Sequence, residues 1–255
     1  MPITELRVYG CSFTGGSELM DHVLSPDAES IKLQHGHQHW LEQQSILIQQ
    51  QGMDASQFEQ QEKQQVWAAE IARRHGLAYH NHARNGSGMT EIVDTLERHW
   101  HQGILDDPCV LVLIGVTTHT RPMMWLDHRH TDTLMMTDLP DHWHKPTFID
   151  FCSDEWLTHQ HLTNLLRLVQ ISDALKGRLI MFDMVGQTRT LPHIHKPSHP
   201  FCHRWREIVR SGHTRFNFNL QDMMGPGEQH AGLHPHQVVH RRFAEWCSGQ
   251  LGAWL

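Results

Sequence analysis

A serine set among glycines and a histidine ahead of the last amphipathic segment are the two residues of this 255-residue chain best suited to do chemistry together. Gly10-Cys11-Ser12-Phe13-Thr14-Gly15-Gly16 follows the β-type run Leu6-Arg7-Val8-Tyr9 and leads into a helix-like stretch. A strand-to-turn-to-helix junction of this kind presents a hydroxyl at the carboxyl edge of a parallel sheet, where ligands bind. There the hydroxyl becomes a nucleophile once a neighbouring base takes its proton. Gly232-Leu233-His234-Pro235 supplies an imidazole, the usual base near neutral pH. The pair can act only in a fold that brings the exit of the first strand to the entrance of the last helix.

Three phosphate- or nucleophile-bearing motifs fail on the residues. The spacing of Gly10 to Ser17 fits a phosphate-binding P-loop, but Gly16 stands where the lysine that reaches the phosphates is required. The Gly-x-Ser-x-Gly elbow fails because Thr14 replaces its second glycine. No dinucleotide fingerprint is present.

Apolar β-type and helical periodicities alternate along the chain. Strands are expected over residues 6–13, 77–83, 109–114, 178–185 and, shorter, 216–220. Helices are expected over 17–24, 56–74, 89–101, 154–175, 201–210 and 236–246, with partial helix over 40–50. Cys109-Val110-Leu111-Val112-Leu113-Ile114 is apolar throughout, as in a strand covered on both faces. This order predicts an α/β fold: one doubly wound, mostly parallel sheet with helices on both faces, in a single domain over 1–255. Loop excursions are expected near 25–55, 119–153 and 186–200. Ser12, Gly86, Thr117 and the loop bearing His234 then share the carboxyl edge of the sheet.

Composition narrows the classes. The formal charge of −7 argues against a nucleic-acid partner, and Arg204-Trp205-Arg206 and Arg241-Arg242 read as solvated helix faces. No apolar run is long enough to span a bilayer, and the first residues carry no signal-type segment, so a cytoplasmic, membrane-free protein is expected. The five cysteines form no Cys-x-x-Cys pair and suggest a reducing compartment. The 25 histidines include many His-x-His pairs, such as His80/His82 and His193/His195. Such a pair can take two positions on a metal, but a site needs three or four converging ligands. The plainer reading is a compositional bias, with no metal and no cofactor expected.

Four segments, in order, resemble the blocks of the SGNH (GDSL-type) hydrolase family. Gly10-Cys11-Ser12 with Gly15 and Glu18 is similar to the first block, with Cys11 in place of the usual aspartate. Asn81-His82-Ala83-Arg84-Asn85-Gly86-Ser87 resembles the second, and Gly115-Val116-Thr117-Thr118 sits where the third is Gly-x-Asn-Asp. Leu233-His234-Pro235 resembles the block bearing the family's histidine. The resemblance implies a flavodoxin-like architecture and a serine esterase or acylhydrolase without cofactor, acting on a small-molecule or carbohydrate ester. Ser12 would be nucleophile and His234 general base. The oxyanion hole would use the amides of Ser12 and Gly86 and the hydroxyl of Thr117, which replaces the family's asparagine. The family's aspartate three residues before the histidine is Ala231 here, leaving a backbone carbonyl, Asp222 or Glu228 to orient the ring. Two other readings stand beside this one: a non-hydrolytic binding or assembly module that has lost those two groups, and metal chemistry through His-x-His pairs.

Overall fold

A computed structural model describes residues 1–16, 18–35, 37–84, 87–119, 123–127, 130–133, 153–228, 234–252 and 254–255. Among these, β1 (Glu5–Tyr9), β2 (Ala78–Asn81), β3 (Val110–Val116), β6 (Leu179–Asp183) and β7 (Thr214–Asn219) form one sheet, ordered β2-β1-β3-β6-β7. Every pairing in it is parallel. The chain steps from β1 outward to β2, then returns across β1 to β3. The sheet therefore changes direction between β1 and β3, and the carboxyl ends of those two strands flank the crevice where such sheets bind ligands.

Helices cover both faces. On one, α7 (Met89–His101), α8 (Asp154–Ala174) and α9 (Pro200–Arg210) pack on Val110, Val112, Ile114 and Met181. On the other, α6 (Trp67–His75) and α10 (Gln237–Leu251) pack on Leu6, Val8, Leu111, Leu113 and Phe182. All seven residues of β3 are buried, which explains its unbroken apolar run. Each of its Val, Leu and Ile side chains contributes about 1.5–3 kcal/mol on leaving water.

The departures from the expected elements concentrate beside Ser12. The first strand ends at Tyr9 instead of Phe13, and a four-residue helix, α1 (Ser12–Gly15), begins at the serine. The expected helix over 17–24 forms only as α2 (Asp21–Leu24). The segment near 25–55 is chiefly helical: α3 (Ala28–His35) and α4 (His37–Gln50) precede α5 (Ala55–Lys63). These elements enclose a separate cluster of Met20, Leu24, Ala28, Trp40, Ile48 and Phe58.

The expected helix over 56–74 is two helices, α5 and α6. The break follows from tertiary contact: a Cβ on Gly16 would lie 2.5 Å from Val66 Cγ1 and 2.9 Å from the Glu62 carbonyl oxygen. The segment after Ser12 thus presses against the junction, and Gly16 takes a left-handed φ of 88° there. Within the excursion near 119–153, β4 (Met123–Asp127) and β5 (His130–Thr133) form an antiparallel pair, while most of that stretch lies outside the described residues. The loop near 186–200 carries a 3₁₀ turn, Thr188–Thr190. Buried Asp183 organises its start by accepting bonds from the amides of Val185, Gly186 and Thr188.

Candidate active site

Two glycines seat the serine. A Cβ on Gly10 would fall 2.3 Å from Thr14 Oγ1, and one on Gly115 would fall 1.9 Å from the same atom. Thr14 therefore occupies the space that side chains at the end of β1 and within β3 would fill, and α1 rests directly on the strand ends. Asn81, at the end of β2, donates to the Thr14 carbonyl (3.1 Å) and fixes the helix from the other side. Ser12 itself is buried, and its Oγ has no hydrogen-bond partner. Neighbouring Cys11 is buried in the apolar cluster of the α6/α10 face.

His234 meets this turn from the far end of the sequence. Its ring lies 5.0 Å, centroid to centroid, from that of Phe13, the residue after Ser12. Its Nδ1 is 2.9 Å from Glu18 Oε2. Its Nε2 is buried and, like Ser12 Oγ, unpartnered. A hydrogen bond between Ser12 and His234 is the contact expected of a nucleophile and its base, and it is not formed. Two buried polar atoms instead stand unsatisfied beside the same turn, an arrangement that native interiors seldom keep without a functional reason.

Glu18 is the partner that sequence reasoning missed. It was legible as part of the first motif, but not as the group behind the imidazole. It holds a φ of 73°, rare for a residue with a side chain, as functional positions often do. Its other oxygen, Oε1, accepts from Lys32 Nζ at 2.8 Å. Burial pushes the Glu18 carboxyl up, but hydrogen bonds and charge from His234 and Lys32 prevail and bring it down to about 2. The carboxylate is ionised at neutral pH. Glu62, at the end of α5, responds in the opposite sense: burial and the charge of Asp21 raise it to about 8, against amide donors at Glu18 and Met20.

Neither expected orienter holds the ring. The carboxylate of Asp222 accepts from Arg189, the Asn219 amide side chain and the Asn219 backbone N–H. That of Glu228 is held by Arg242 and the Gly225 amide. Both serve the turns that follow β7, and it is Glu18 that lies against the ring. Thr117 is buried immediately beyond β3. Gly86 and Ala231 lie outside the described residues. The loop before Gly86 is anchored near Ser12, since the Arg84 amide donates to the Gly10 carbonyl at 3.1 Å.

The described His-x-His pairs do not converge as pairs. His82 stacks on Tyr9 while His80 lies 3.8 Å from Glu5, and His195 faces the Arg189 carbonyl. Among the described residues one group has metal-compatible spacing: Glu155, His193 and His199, with ligand atoms within 4.8 Å of one another. His199 Nδ1 there accepts from the Phe201 amide, so the neutral ring carries its proton on Nε2 and offers no free lone pair. Among the described residues no helix is long and apolar enough to cross a membrane.

No protein-family model and no curated protein matches the sequence. Solved structures do match the fold. A carbohydrate esterase, described as having an active site with divergent catalytic and non-catalytic binding functions, aligns over 100% of this chain and 71% of its own, with a TM-score of 0.51 and 13% identity. TesA aligns over 99% and 100% (TM-score 0.48, 13% identity). The psychrotrophic esterase EstA from Pseudoalteromonas sp., solved with monoethylphosphonate as inhibitor, aligns over 98% of each chain (TM-score 0.48, 10% identity). The carbohydrate esterase thus shares this chain's architecture, an α/β fold on a five-stranded parallel sheet.

Proposed function

We propose that the protein is an SGNH-type serine hydrolase that cleaves an ester, removing an acyl group from a carbohydrate or another small polar molecule. The observation that carries this reading is the pair of buried, unpartnered atoms, Ser12 Oγ and His234 Nε2, beside one turn, with Glu18 on the imidazole's other nitrogen. The carbohydrate preference draws on the esterase that shares the fold.

Ser12 Oγ attacks the acyl carbon as His234 Nε2 takes its proton. Glu18 accepts from Nδ1–H, so it fixes the tautomer that leaves Nε2 free and stabilises the imidazolium that forms. The amides of Ser12 and Gly86 and the Thr117 hydroxyl receive the oxyanion. The imidazolium then protonates the leaving alcohol, and water, activated by the same ring, releases the acid from Ser12. Thr117 in place of asparagine supplies a shorter donor, and losing one well-placed donor costs on the order of 100-fold in rate.

Ser12→Ala abolishes turnover of p-nitrophenyl acetate while the far-UV spectrum stays that of the parent; full activity in that variant would sink the assignment. The unformed Ser12–His234 bond favours one second reading, a binding or assembly module on the hydrolase fold. A fluorophosphonate probe separates the two, since only an activated Ser12 is labelled.

A further inference from the structure

The buried charge behind His234 does not stop at Glu18. We infer that Lys32 and Asp21 are positioning residues of the same site: Lys32 pins the Glu18 carboxylate behind the imidazole, and Asp21, gripped by α4, fixes Lys32. This inference rests on the hydrolase reading. It assigns the α3–α4 helices a part in the chemistry, as the support of the group that orients the base.

Lys32 Nζ lies 2.8 Å from Glu18 Oε1 and 2.7 Å from Asp21 Oδ2, and all three side chains are at most 5% exposed. Asp21 Oδ2 also accepts from Trp40 Nε1 at 3.0 Å, and its Oδ1 from Gln44 Nε2 at 2.7 Å. The indole of Trp40 is fully buried, with the ammonium 5.9 Å from its ring centre. Glu18 therefore gives one oxygen to the ammonium and the other to the imidazole. Any rotation of the carboxylate breaks both contacts, so the ammonium dictates where Oε2 meets Nδ1.

Apolar side chains of similar volume would stabilise this region at least as well as a buried charge cluster, whose desolvation offsets its attraction. The cluster makes sense for what it does to the neighbouring imidazole. Glu18 and Asp21 are negative and Lys32 positive, while burial and the charge of Asp21 keep Glu62 protonated near neutral pH. Among the described residues the set thus carries one net negative charge next to a neutral ring and balances when the ring takes the proton of Ser12. Without Lys32 the negative charge beside the ring would double and favour the imidazolium, which cannot act as a base. Among the described residues the other charged groups facing this cluster come from α5: Glu62 itself, with the Glu59–Lys63 pair beyond it.

The test is the pH profile of kcat/KM for p-nitrophenyl acetate, with Ser12→Ala as blank. Lys32→Met moves the acid limb to higher pH by about one unit, a loss of roughly tenfold below the limb and little above it. Asp21→Asn moves the limb to lower pH, and Lys32→Arg, which keeps the charge, holds it near the parent's position. A merely structural role would lower activity equally at every pH and leave the limb in place, and that result overturns the inference. Should Lys32→Met not fold by circular dichroism, the opposite displacement in Asp21→Asn decides. An active Ser12→Ala overturns the hydrolase reading and this inference with it. An inactive Ser12→Ala with unmoved limbs overturns this inference alone.

Discussion

Replacing Glu62 by glutamine is expected to stabilise the protein at pH 8 and to flatten its stability between pH 5 and pH 8. Glu62 is 5% exposed, and burial with the charge of Asp21 raises its carboxyl from 4.5 to about 8. Between those values the folded protein keeps a proton that the unfolded chain has released. Stability then falls as pH rises, by at most about 1.4 kcal/mol per pH unit. Over a span of roughly 3.5 units the ceiling is about 5 kcal/mol, and relaxation around the group makes about 2–4 kcal/mol the working expectation. Glutamine has the shape of the protonated acid and retains a carbonyl oxygen for the amide donors at Glu18 and Met20, but it has no proton to lose. Urea denaturation of parent and Glu62→Gln at pH 5 and pH 8 measures the difference directly, with contributions from the histidines cancelling between the two proteins. Near-coincidence at pH 5 and a gap opening toward pH 8 are expected. An equal loss in both proteins would refute the burial argument, as would a parent that is the more stable of the two at pH 8.

Glu18→Gln lowers kcat for p-nitrophenyl acetate by about 100-fold or more, because an amide can donate to Nδ1 and so favour the wrong tautomer. Since the folded-state value of Glu18 is depressed to about 2, its ionisation stabilises the fold above pH 4.5, and that contribution disappears as pH falls toward 2. Denaturation midpoints of Glu18→Gln and parent should accordingly converge in acid. Gly115→Ala destabilises by about 1–3 kcal/mol through overpacking, because its Cβ would sit 1.9 Å from Thr14 Oγ1. Adding Thr14→Ala removes the clash and recovers much of that loss, measurable as a double-mutant cycle in urea.

Elements whose pattern answers only to the sheet were legible in the sequence. Met89–His101 was read with its bounds intact, since one apolar face meets the sheet and Gly88 precedes it at the N-cap. The strands β3 and β6 were likewise set by continuous apolar runs. Elements that answer to distant partners were not legible. Helix α3 was not expected and α4 only in part, over 40–50, because this stretch is rich in glutamine and histidine and the buried anchors of α4, Trp40 and Ile48, stand eight residues apart, too sparse to mark a stripe. The break between α5 and α6 is imposed by Gly16, about fifty residues earlier in the chain. Gly115 was read as part of a catalytic block, whereas its lack of a side chain makes room for Thr14. Ser12 and His234 were picked out because the motif and the strand order point to one edge, and the structure sets the His234 ring beside Phe13, the residue after Ser12. Glu18 was passed over as orienter because its contact with His234 spans 216 positions and depends on a left-handed backbone that no periodicity announces.

That span has a consequence for how the protein comes into being. Ser12, Glu18, Asp21 and Lys32 lie within about twenty positions of one another, while His234 follows about two hundred positions later. Without His234, Glu18 and Asp21 have no ring to serve. A chain cut before residue 234 keeps Ser12 and Glu18 but lacks the imidazole that, on the proposed mechanism, activates Ser12. On the proposed mechanism, docking of the segment that leads into α10 is therefore the step that completes the site.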